Sequence, residues 1–277
     1  MPNPLSRSVL LSAFCLTSLL APIKPALSHE FWIEPEKYQV KSDDSVKAGL
    51  RNGQMFKGAR LPYFASRIRR FETIQGTTQT PYTARMGDMP ALVLEDFEAG
   101  LLIALHETTP DLITYESWEK FSEFANAQGF HDIEARHQDR GLPEAGFGEY
   151  YTRHTKLLVA VDHGRGTDRA FGMETEFVAF QNPYTLALPA DGSAAEIGVQ
   201  LLYQGLARSQ AQVELFERAP NDRVQRHLLQ TDASGVVQIP VRAGQRYLLN
   251  AVVLRPLEGE AEAVWETLWA SLVFAIP

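Results

Sequence analysis

His29 follows Ala26-Leu27-Ser28, small and apolar residues of the kind that a signal peptidase reads. Cleavage after Ser28 would make His29 the first residue of the working chain. A terminal histidine offers its backbone amine and its imidazole Nδ1 at a spacing that closes a small ring on one metal ion. The free α-amine titrates near ~7.7–8.0, so a metal can displace its proton at neutral pH. A second imidazole would complete a T-shaped site of three nitrogens, the histidine brace, which suits Cu(II) or Ni(II). The bland alternative is a frayed terminal residue. The aromatic run Phe31-Trp32-Ile33 directly behind His29 argues against fraying, because it reads as a buried strand.

Two histidines are candidates for the second imidazole. His106 ends the apolar run Leu101-Leu102-Ile103-Ala104-Leu105. His154 lies in the polar and aromatic run from Glu149 to Lys156. If that run is a strand, Arg153 and His154 point to opposite faces; if it is helical, Tyr150 and His154 share one. Either histidine could equally be an ordinary hydrogen-bonded side chain. Tyr150 or Tyr151 could serve as an axial group, and Glu149 could orient an imidazole. His131 and His137 are six apart, not the three or four that brings side chains together on a helix, and are expected to be solvated. His163 and His227 are expected at the surface.

Other chemistries find little support. There is no H-E-x-x-H zinc motif and no G-x-S-x-G nucleophile elbow. Glu258, Glu260 and Glu262 read as a solvated acidic loop, and Glu34 and Glu36 as turn residues around Pro35. Trp265 and Trp269, four apart, read as core packing.

The segment before His29 has the form of an export signal, with Arg7 flanking an apolar run from Val9 to Ala21 that Pro22 and Pro25 break. The expected mature chain is therefore periplasmic or secreted, with no later run of about 18 apolar residues to span a membrane. The single cysteine, Cys15, would leave with the signal, which excludes disulfides and thiolate metal sites. Losing Arg7 and Lys24 takes the net charge from −8 to −10. Without a basic cluster, such a chain makes a poor partner for nucleic acid.

Short apolar runs separated by Gly and Asn-Gly turns dominate both ends. Val46–Leu50, 66–74, 92–94 and 101–105 come first; alternating runs at 197–203, 213–215, 237–241, 247–253 and 268–274 follow. Between them Trp118, Phe121, Phe124 and Ala125 recur at helical spacing, with Thr114 as a candidate N-cap and Gly129 as a stop. The reading is a mainly β protein: two β-sandwich domains, immunoglobulin-like or transthyretin-like, with a helical excursion between them. The expected units are a signal at 1–28, an N-terminal β domain at 29–170 with its helical insertion near 114–140, and a C-terminal sandwich at 171–277.

The start His29-Glu30-Phe31-Trp32-Ile33-Glu34-Pro35 resembles an exported bacterial family named domain of unknown function 4198. Asn52-Gly53, Phe56-Lys57-Gly58, Thr109-Pro110 and Trp118-Glu119-Lys120-Phe121 also resemble it. So do Gly141-Leu142-Pro143-Glu144, the run from Glu149 to Lys156, Asn182-Pro183-Tyr184, Thr231-Asp232 with Gly235, and the ending from Trp265 to Leu272. Members are often described as nickel-uptake transporter proteins similar to the periplasmic NikM-type component. The resemblance implies a C-terminal transthyretin-like sandwich and an association with transition-metal uptake, but no ligand set.

Three functions follow. The first is a periplasmic protein that captures nickel, cobalt or copper through His29 and hands it to an uptake transporter in the envelope. The second is a copper histidine-brace oxidase acting on polysaccharide. The third is a structural envelope module without metal.

Overall fold

The computed structural model describes residues 29–277, so the expected signal at 1–28 lies outside the described residues. The described residues are mainly β and form three sheets. The first contains Glu30–Pro35, Val46–Gln54, Lys57–Leu61 and Leu92–Leu94. The third contains Thr175–Ala179, Ala195–Tyr203, Leu206–Ala207 and Val236–Val241.

The central sheet has ten strands. Its order runs Val224–Gln230, Gln212–Arg218, Arg246–Pro256, Trp265–Ala275, Phe147–Val161, Gly100–Thr108, Ile68–Gln75 and Thr78–Pro81. Gln39–Val40 and Asp111–Tyr115 add to Phe147–Val161. A parallel pairing of Phe147–Val161 with Trp265–Ala275 joins strands from before and after the 165–172 connection into this one sheet.

Alternation along the strands explains the layering. Ile103, Leu105, Leu158, Leu249, Ala251, Leu272 and Phe274 point one way and pack with Phe177, Ile197, Val199 and Ile239 of the third sheet. Leu102, Ala104, Leu157, Val159, Leu248 and Val273 point the other way and pack with Phe31, Ile33, Val46 and Leu50 of the first. Burial on both faces is why Leu101–Leu105 and Leu157–Val161 read as unbroken apolar runs rather than alternating ones. A fully buried Lys156 pins the 165–172 connection, with Nζ 3.0 Å from Asp168 and 3.4 Å from Glu176, and donates to the Phe177 carbonyl. Two carboxylates, that carbonyl and the Arg169 carbonyl, 3.0 Å from Nζ, compensate the ammonium's lost hydration.

The helical excursion is two short helices, α1 (Trp118–Ala127) and α2 (Ile133–Asp139). They cover the same face of the central sheet as the first sheet does, through Phe121 on Trp265 and Phe124 on Trp269. The tryptophans are core, as expected. Three expectations fail here. Thr114 is a strand residue, and Ser117 occupies the N-cap of α1. His137 is buried rather than solvated: its Nδ1 accepts from Trp265 Nε1 at 3.1 Å and its Nε2 lies 2.9 Å from the Pro143 carbonyl. Glu34 is no turn residue; it bridges Arg51 and Arg218 from within the first strand.

Candidate functional site

The first described strand is anchored by a tight hairpin. Glu30 and Phe31 pair with Gly53 and Asn52, and that strand turns at Met55–Phe56 into Lys57–Leu61. Both turn residues have positive φ, 54° and 56°, the geometry a two-residue hairpin with right-handed twist demands. Non-glycine residues are strained there. Phe56 is held in place by burial, by an edge contact on Trp32 at 5.5 Å, and by the Arg218 guanidinium 4.0 Å over its ring. The glycines sit in the paired strands instead, where a Cβ on Gly53 would collide with the backbone of Lys57 and Gly58.

This arrangement sets Phe31 and Asn52 over the central sheet, roofing a cavity of about 580 Å³. Its floor is His106 and Thr108 from one strand and Tyr151 and Arg153 from the next. His106 is 1% exposed, and its ring lies between Phe31 at 5.4 Å and Phe71 at 5.0 Å. Among the described residues, neither ring nitrogen has a hydrogen-bond partner. Burial pushes its pKa down to about 3, so the imidazole is neutral, the form that ligates metals.

Arg153 is also buried. Its guanidinium lies 4.1 Å over the Trp269 ring and 5.1 Å over that of Tyr151, and its Nη1 has no hydrogen-bond partner among the described residues. Burial lowers its pKa to about 10, which leaves it charged. At the rim, Asp111 pairs with Arg67 at 3.0 Å and accepts from the Tyr151 hydroxyl at 3.1 Å.

The structure separates the candidate ligands. His29 is exposed and immediately precedes the first strand, which begins at Glu30, two residues before Phe31. His106 lies against Phe31. His154 projects from the opposite face of the central sheet, with Nε2 4.0 Å from Glu107, so His106 and His154 do not converge. The 149–156 run is a strand, and Arg153 and His154 diverge as a strand requires. Glu149 orients no imidazole: it accepts from the hydroxyls of Tyr115, at 2.8 Å, and Thr267. Tyr150 bonds Glu262, while Tyr151 reaches the cavity. Among the described residues no trio of His, Cys, Asp or Glu side chains is placed to hold an ion.

Arg153 and Phe31 went unrecognised in the sequence as cavity residues. The available signal was a permanent cation inside a strand whose neighbours are buried on both faces.

The family described as Domain of unknown function (DUF4198) matches residues 26–255. The chain belongs to this family. The DUF4198 match spans His29, His106 and Arg153 but stops before Trp269, the ring on which Arg153 stacks. No curated protein matches the chain. Among solved structures, the "D0-D1 domain of Intimin" aligns at 12% identity and a TM-score of 0.23, over 88% of this chain and 97% of that one. That likeness is too loose to bear on fold or function. No helix among the described residues is long and apolar enough to cross a membrane.

Proposed function

We propose that the exported chain, cut before His29, captures a transition-metal ion as cargo in the periplasm or outside the cell and delivers it to an uptake system in the envelope. Ni(II), Co(II) and Cu(II) all suit nitrogen donors, and availability rather than affinity would select among them. The observation that carries this reading is His106: a neutral imidazole, buried with neither nitrogen partnered among the described residues, and packed on Phe31 of the strand that begins one residue after His29. A buried polar group without a partner costs stability unless something satisfies it. The His29 amine and imidazole, with one nitrogen of His106, make a chemically consistent donor set.

The donor set does not rely on a trio of side chains, because the amine supplies one donor. The amine exists only after cleavage, which links capture to export. The test is a calorimetric titration of the chain beginning at His29 with Ni(II), beside its His29→Ala variant. One-to-one binding that the variant loses supports the reading; equal affinity in the two contradicts it.

A further inference from the structure

The cavity holds a second unsatisfied group. Arg153 is 8% exposed, lines the cavity, and has no partner for Nη1 among the described residues. A buried cation needs a counter-charge, and the carboxyls around it are engaged elsewhere. Asp111 is taken by Arg67 and Tyr151. Glu149 accepts from Tyr115 and Thr267, and Glu30 accepts from the Phe56 amide. Burial raises Glu149 to about 7, so at neutral pH it supplies less than a full negative charge.

Trp269 and Tyr151 stack on the guanidinium and fix its plane, which prepares it for the two-pronged recognition of a carboxylate. Across the cavity stand Phe31, Leu50 and Leu61 of the first sheet, an apolar wall that a bare inorganic anion would leave uncovered. The volume is that of a small-molecule site.

We infer that this cavity binds a small organic monocarboxylate, its carboxylate on Arg153 and its apolar body against Phe31, Leu50 and Leu61. The inference stands apart from metal capture, since neither His29 nor a metal takes part in it.

The experiment titrates the metal-free, EDTA-treated chain beginning at His29 with 2-naphthoate and with its uncharged isostere 2-naphthamide. Naphthoate is expected to bind at least about tenfold more tightly, since a charge-assisted bidentate pair exceeds a neutral hydrogen bond by ~1.4 kcal/mol or more. Arg153→Met should abolish the difference. Because that residue is buried, Leu61→Trp, at a half-buried wall position, gives an independent check: it should weaken naphthoate at least about tenfold with the circular dichroism spectrum unchanged. Equal binding of the two ligands would overturn the inference. So would naphthoate binding untouched by Leu61→Trp, or acetate binding as tightly as naphthoate. Metal binding is absent from every arm, so a failure here leaves the capture reading to its own test.

Discussion

The Phe31 ring lies 5.4 Å from the His106 ring, tilted by 34°, and this contact ties the start of the described chain to the floor of the cavity. It also distinguishes two histidines that the sequence left equivalent. If His106 completes the site begun by His29, His106→Ala should reduce Ni(II) or Cu(II) affinity by more than the roughly 10–100-fold that a supporting residue costs. His154→Ala, on the far face of the sheet, should leave it within about twofold. Competition with a colorimetric chelator reads both. Equal losses would show that the sheet does not separate the two roles.

The hairpin that carries the first strand should matter to both stability and binding. At Gly53 an added methyl meets backbone that cannot yield, so Gly53→Ala should cost about 1–3 kcal/mol and weaken metal binding with it. Gly76 has φ +55° but open space around it, so Gly76→Ala should cost only about 1 kcal/mol and leave metal binding alone. Thermal unfolding, at about 2–4 °C per kcal/mol for a chain of this size, would separate them.

His137 fixes α2 to the central sheet through Trp265. His137→Ala would strand the buried Trp265 indole N–H and remove the bond to the Pro143 carbonyl, and should destabilise by about 2–4 kcal/mol. His131→Ala, at an exposed position, should stay within about 0.5 kcal/mol. Urea midpoints check the contrast.

Glu149 sets a pH dependence. Its folded pKa of about 7, raised first by burial, exceeds the ordinary 4.5. Between those values the folded chain binds more protons than the unfolded one, so its contribution to stability is complete below pH 4.5 and falls as pH rises towards 7. Glu149→Gln keeps the shape without the titration. Relative to that variant, the wild-type chain should lose up to roughly 3 kcal/mol between pH 4.5 and 7. Parallel stability curves for the two would contradict this.

Much of the architecture was legible, for a physical reason. Leu92–Leu94, the alternation of Val237, Ile239 and Val241, and the stop at Gly129 follow from local rules of period and conformation. The stacking of layers is not local. Period 2 shows that Arg153 and His154 diverge, but not which sheet covers each face. The same gap hid the site. The sequence offered His106 and His154 as alternative ligands, and only the packing of His106 against Phe31 and Phe71 sets it apart. His137 misled because the residues around it are polar, while its own side of α2 meets Trp265.

Metal capture at His29 is tested most directly by its amine. The chain whose intact mass places its start at His29 would be titrated with Cu(II) before and after acetylation of the terminal amine at mildly acidic pH, where lysines stay protonated. One ion per chain, lost on acetylation, is the expected result. Undiminished one-to-one binding by the acetylated chain, or no binding by the free one, would contradict a site built on that terminus.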